Sequence, residues 1–261
     1  MSWISGSRAL RRSLFLAGLA LIWEAVARAG WYPEILFPSF SIVMRELLGW
    51  ATSAELLQRA YVSLYLIAVG LGLAIVTAVA ASALAMMSRT FAEMVDTLMA
   101  IMHPLPGIAI LPVVLLWFGT GNQSIIILIW FSACWPLIAN VHAGLRAVPL
   151  TQIEVGRNLG LTGFQLVWAV LIPAALPHIL TGLRVAWARA WQSSVAAEMV
   201  FGASGTEGGL GWYIYKKRFF MEIPGVFAGM LVIILIGLIV ERLIFAAAEN
   251  RTIRRWGMVL D

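Results

Sequence analysis

Thr151-Gln-Ile-Glu154-Val-Gly-Arg-Asn-Leu-Gly160-Leu-Thr162-Gly-Phe-Gln165 is a polar island between two long apolar runs, and its reading decides what those runs are. Thr151 followed by Glu154 has the form of a capping box, and Thr162 with Gln165 repeats it. Gly160 stands between them, where a helix end favours a residue tolerant of positive φ. Pro173 and Pro177 then predict an interruption of the second helix before the next apolar run. The segment reads as a helix–turn–helix at the surface, placed to meet a soluble partner. An ordinary interfacial loop is the plainer alternative.

Around this island the 261-residue chain is 61% hydrophobic and only 12% charged, with a mean hydropathy of +0.90. A soluble domain of that size cannot hide so much apolar surface behind a charged exterior. The chain therefore reads as all-α and polytopic in a membrane. Six apolar runs, near 13–30, 60–87, 97–118, 124–145, 178–201 and 225–247, suit a hydrocarbon core of roughly 30 Å at about 1.5 Å per residue. The first has the outline of a signal peptide, with Arg8, Arg11 and Arg12 before it and Ala27-Arg28-Ala29 after it. Arg28 within that cleavage motif favours an uncleaved span.

Six spans put both termini on one side. Arg8, Arg11, Arg12, Arg89, Arg146, Arg157, Arg251, Arg254 and Arg255 assign that side to the cytoplasm, against Arg45, Arg59 and Lys216-Lys217-Arg218 outside. The net charge of +5 flanks the spans rather than forming a stripe, so no nucleic-acid partner is expected. Cys134 alone excludes an intramolecular disulfide and a cysteine-rich metal site, and His103, His142 and His178 have no metal-ligand spacing.

Residues 1–261 read as one membrane domain, with 146–178 as its cytoplasmic loop and 31–55 as its outer segment. In the outer segment Ser41 is expected to cap a short amphipathic helix near 42–51, with Ile42, Val43, Leu47 and Leu48 facing the membrane surface. Pro104, Pro106 and Pro112 predict a broken or kinked third span, tolerated where freed carbonyls face protein or a wet cavity. The glycine-rich outer stretch Gly202–Gly225 holds Trp212, Tyr213 and Tyr215, which fit an interfacial belt or a contact with an outer protein.

Chemistry centres on the fifth span. Helical spacing places Arg184, Trp187, Trp191, Ser194 and Glu198 on one face, and Arg189 on another with Ala186, Ser193 and Ala196. A charged residue at mid-membrane needs a partner or a water-filled path. Arg189, with His103 on the broken third span, could present positive charge to an anion in a pathway also drawing on Trp191, Ser194 and Glu198. Alternatively Arg189 pairs with Glu24 or Glu241, His103 is a satisfied interior histidine, and Arg184 and Glu198 snorkel to opposite faces. No nucleophile–base pair, phosphate-binding glycine loop or dinucleotide fingerprint occurs, so the chain is not expected to be an enzyme, nor to hold ATP in the P-loop manner.

Glu154-Val155-Gly156, three residues, Gly160, nine residues, then Val170-Leu171-Ile172-Pro173 resembles the EAA loop of ABC importer permeases. Leu36-Phe37-Pro38-Ser39, His103-Pro104-Leu105-Pro106, Trp117-Phe118-Gly119 and Val195-Ala196-Ala197-Glu198 look like the permeases for nitrate, bicarbonate, sulfonates and taurine. The resemblance implies a type I importer fold of six transmembrane helices in the bacterial inner membrane. It implies a second copy of the chain, two ATPase subunits that bind ATP and Mg, and a periplasmic or lipid-anchored solute-binding protein. Glu154, Val155, Gly156, Asn158, Leu159, Gly160 and Leu161, with Pro173 behind them, would then form the coupling helix and its support. His103 and Ile110 stand where that group usually has arginine and tryptophan, which leaves the cargo open to an organic carboxylate. The competing function is an ion-gradient-driven secondary transporter, which usually needs more spans or an internal repeat.

Overall fold

The computed structural model describes residues 2–201 and 208–252, with side chains from residue 10 onward. The side chain of Arg8, the whole of Arg254 and Arg255, and the start of the glycine-rich outer stretch at Gly202 lie outside the described residues. Among those described, every regular element is helical.

Helix α1 spans Ser2–Arg28, and α2, Phe40–Ala51, follows a short turn. Ser39, not Ser41, occupies the N-cap of α2. The Ser41 amide and hydroxyl instead donate to Glu24 of α1, each at 2.9 Å, so the capping acceptor comes from a neighbouring helix. Val43, Leu47 and Trp50 are the buried stripe of α2.

Three long helices build the centre: α3 (Ala54–Met87), α6 (Asn122–Arg146) and α9 (Ile172–Phe201). Their seam is made of Leu66, Ile67 and Ala74 on α3, Leu128, Ile129 and Ala133 on α6, and Ala186, Ala190 and Ala197 on α9. Alanines at the α6–α9 contact let two backbones approach closely, which is how helices associate where lipid removes the hydrophobic drive. Leu73, Val76 and Val79 of α3, and Ile234, Leu235, Leu238 and Ile239 of α11 (Ile223–Ile239), project outward. That apolar exterior belongs against hydrocarbon.

The third run is broken. Helix α4 (Arg89–Met102) stops ahead of Pro104 and Pro106, a 3₁₀ turn follows over Gly107–Ile110, and α5 (Leu111–Phe118) leaves at 88° to α4. The prolines Pro173 and Pro177, by contrast, interrupt nothing. Helix α8 (Gly163–Leu166), a π-helical turn over Val167–Leu171 and α9 form one 39-residue helix, with Pro177 inside it. Widening to i→i+5 bonding just before Pro173 absorbs a missing donor without breaking the axis.

Four of the described helical segments are long and apolar enough to cross a membrane, and a fifth if the bent α4–α5 pair counts as one span. Helix α1 is formed but is not among them. Helix α7 (Leu150–Asn158) precedes the 39-residue helix, and α10 (Leu210–Phe219) follows it before α11. These two short helices therefore cap opposite ends of one long rod. The last described elements are a π-helical turn, Val240–Phe245, and α12, Ala246–Arg251.

Candidate functional site

The broken run leans against α6 and α9 and encloses a cavity of about 230 Å³. Helix α9 contributes Arg189, Gln192, Ser193 and Ala196, spaced i, i+3, i+4 and i+7, so they form one stripe. Helix α6 contributes Phe131, Ser132 and Trp135, and the broken run contributes His103, Pro106 and Gly107. The Ser132 hydroxyl lies 2.8 Å from the Leu128 carbonyl oxygen and 2.9 Å from the Ser193 hydroxyl, which fastens α6 to α9 at this depth. Gly107 is needed here: a Cβ would collide with the Ser132 hydroxyl and stand 3.4 Å from that of Ser193.

Among the described residues, no acidic side chain lines the cavity. Arg189 is exposed to it and, among the described residues, makes no ion pair or hydrogen bond. The carboxylates that could have paired with it are used elsewhere. Glu24 holds Arg28 and Ser41, and Glu241 lies 2.9 Å from Arg184, which also meets Glu249 at 3.3 Å. An unneutralised guanidinium facing an acid-free hollow attracts anions and repels cations.

His103 and Arg189 thus share one cavity, and the other three residues predicted for it do not. Trp191, 9% exposed, stacks on Trp187 at 5.8 Å in the core. Ser194 and Glu198 are buried on the opposite side of α9, and Glu198 does not snorkel to an interface. Its carboxylate accepts from the Ser63 and Ser194 hydroxyls and the Gly211 amide. Helical periodicity put Glu198 on the face of Arg184 correctly; that face turns to protein. Gln192, Ser132 and Trp135 were missed. Only Gln192 had a signal, its spacing of three from Arg189.

At the other end of the rod, α7 starts at Leu150 with Pro149 in the N-cap position, so Thr151 lies inside the helix and forms no capping box with Glu154. Thr162 does sit at the N-cap of α8, but its hydroxyl makes no capping bond. The order comes from the far end of α7. Gly160 has φ +82°, its amide donates to the Arg157 carbonyl at 2.9 Å, and the Leu161 amide donates to the Gly156 carbonyl at 3.0 Å. That pair of bonds is a Schellman motif, and it fixes the exit angle of the chain.

Gly156 is buried because Leu166 and Val170 pack over it; a Cβ there would lie 2.8 Å and 3.0 Å from their methyl groups. Glu154, Arg157 and Asn158 are exposed. So are Leu150 (75%), Val155 (58%), Leu159 (75%) and Phe164 (74%), which project from an otherwise polar element. A groove of about 610 Å³ runs behind α7, bounded by Gln152, Val155, Pro173 and His178.

Residues 70–254 match the family described as "Binding-protein-dependent transport system inner membrane component". The chain is 31% identical over 231 residues to the taurine transport system permease protein TauC of Escherichia coli, covering 87% of this chain and 82% of that one. It is 27% identical over 257 residues to the nitrate import permease protein NrtB of a Synechocystis species, covering 94% and 90%. Its fold is shared with an inward-facing structure of the MetNI methionine ABC transporter, at a TM-score of 0.59 and 19% identity, over 77% of this chain and 95% of that chain. These matches set aside the gradient-driven carrier: the chain belongs to the binding-protein-dependent inner membrane component family and is the membrane-spanning permease subunit of an ABC importer.

Proposed function

We propose that this permease imports a small anion, a sulfonate such as taurine, nitrate, bicarbonate or an organic carboxylate, and that the cavity holding Arg189 and His103 lies on its path. The observation that carries this reading is the Arg189 guanidinium, unpaired among the described residues and facing a hollow that none of their carboxylates lines. Arg189 stands about 18 Å along the rod from its end at Phe201, a depth that suits a site near the bilayer midplane. Ser132, Gln192 and Ser193 add neutral groups that suit oxyanion oxygens. One relative is named for the anion nitrate and another for taurine, whose sulfonate group presents the same kind of negative oxygens.

In this reading Leu150–Leu161 is the coupling element, seated in one of two partner ATPases that bind ATP and Mg. Exposed Val155 and Leu159 fill the seat, Glu154 and Asn158 border it, and Pro173 backs the groove behind. The terminal Schellman turn keeps the element rigid, so ATPase closure moves the 39-residue rod as a body. Both termini then face the cytoplasm of a bacterium, a second copy in the lipid bilayer completes the pore, and a periplasmic or lipid-anchored binding protein delivers cargo to the outer face.

The test is uptake by the reconstituted complex, with taurine, nitrate, bicarbonate and benzoate as probes. Arg189→Ala is expected to cut uptake of the anion carried by roughly tenfold or more, with Arg189→Lys intermediate, as for loss of one charge-assisted contact. Normal uptake by an assembled Arg189→Ala complex would remove the anion-path reading.

A further inference from the structure

Glu198 is a buried carboxylate in a membrane helix, 1% exposed, with no cationic partner among the described residues. Such a group is costly in hydrocarbon and is retained only where its hydrogen bonds serve a purpose. All its donors lie on three different helices. The Ser63 hydroxyl of α3 lies 2.8 Å and 2.9 Å from its two oxygens, the Ser194 hydroxyl of α9 lies 3.2 Å away, and the Gly211 amide of α10 donates at 2.7 Å.

The outer helix is built around this carboxylate. The Leu210 amide donates to Ser63 Oγ at 2.9 Å, so the first two free amides of α10 both end on the Ser63–Glu198 pair. A Cβ at Gly209 would stand 2.6 Å and 2.7 Å from the Glu198 oxygens, and one at Gly211 would stand 2.8 Å from its Cβ. Only glycine lets the α10 backbone come down so far. Arg59 adds a further tie, donating to the Gly208 carbonyl at 2.6 Å while paired with Glu55. The exposed face of α10 carries Lys216, Arg218 and Phe219, with Phe220 just after it, on the side of the molecule opposite α7.

Glu198 and Arg189 lie on the same helix, nine residues and about 13 Å apart. We propose that Glu198 is a positioning residue through which an outer partner, on contacting α10, sets the register of α9 and hence of Arg189. The relay rests on the reading that α9 lines the path. A carboxylate suits it because it only accepts: Gln at this position either aims its NH₂ group at the Gly211 amide or, with its oxygen kept there, turns that NH₂ toward the Ser63 and Ser194 hydroxyls, which donate to the carboxylate. The effect is a loosened joint rather than an unfolded helix.

The experiment compares basal ATPase activity of the reconstituted complex with activity stimulated by its binding protein, loaded with whichever of taurine, nitrate, bicarbonate or benzoate stimulates the unaltered complex most. Glu198→Gln and Ser63→Ala are expected to keep basal activity, with only a small drop in the thermal midpoint of the assembled complex, while lowering stimulation by roughly tenfold, the size of an ordinary coupling between sites. Equal loss of basal and stimulated activity with a falling midpoint assigns Glu198 to packing alone and overturns the relay. Unchanged stimulation in both variants overturns it too. Lost stimulation in Glu198→Gln together with normal uptake in Arg189→Ala would discard the anion path and keep the joint between α10 and α9.

Discussion

Trp50 of the surface helix α2 and Tyr213 of the outer helix α10 stack face to face, with ring centroids 3.8 Å apart and planes inclined by 7°. Both are buried, and they join segments more than 160 residues apart in sequence into one outer layer. Replacing Tyr213 with Ala removes that join and leaves a cavity, so a loss of about 3–5 kcal/mol is expected. Tyr213→Phe keeps the ring and should lose no more than about 1 kcal/mol. Thermal unfolding of the purified protein in detergent orders the two; equal midpoints would show that the stack bears no stability.

The same layer should be alkali-labile. Burial pushes the Tyr213 phenol from the usual 10.0 up to about 12. Burial opposes the Lys217 ammonium, but bonds to Glu222 and Glu46 outweigh it and raise its pKa above 10.5. Both groups hold their protons more tightly when folded, so their contribution is complete below the unfolded values and is lost as pH rises through the folded ones. The thermal midpoint should therefore be insensitive to these groups at neutral pH and fall above about pH 10, and Tyr213→Phe should flatten the fall. A tyrosinate absorbance titration with no transition delayed toward 12 would contradict the assignment.

Leu159 is 75% exposed at the end of α7, a large apolar side chain left projecting from a polar element. Leu159→Asp is expected to leave the permease folded and to weaken retention of the ATPase subunits by about 2 kcal/mol or more. Pull-down of the ATPase from detergent extracts reads this directly. Gly160→Ala tests the turn instead: an alanine held at φ +82° costs about 1–2 kcal/mol and should weaken the same retention less.

Gly107 offers a test of the cavity. Valine there would drive two methyl groups at Ser132 and Ser193, displacing the 3₁₀ turn or filling the hollow. Overpacking of this kind costs about 1–3 kcal/mol, which a bundle of this size should survive. Uptake should fall while ATPase retention at α7 stays normal. Full uptake in Gly107→Val would place the path elsewhere.

Much of this protein was legible in the chain alone, for local reasons. Apolar runs of span length dictate membrane helices, because hydrocarbon leaves backbone amides no other partner. Pro104 and Pro106 dictate the break after Met102, and Gly160 dictates the turn after α7, since each acts through its own backbone geometry. The same local rules misplaced the cap of α7 at Thr151 and an interruption at Pro173. There the winners were a tertiary packing of Gly156 under Leu166 and a π-helical turn, neither of which leaves a pattern in sequence.

Sequence by itself determined which residues were chemically unusual: Arg189, His103 and Glu198 are polar groups in apolar runs. Only the tertiary structure decided what each one faces. A helix's periodicity sorts its residues onto stripes but does not say which stripe meets a neighbour and which meets a hollow. Packing of α9 against α6 and α3 turned Arg189 toward open space and Glu198 toward Ser63 and the amides of α10. That choice depends on contacts between residues as far apart as Ser63 and Glu198, so no stretch of the chain records it.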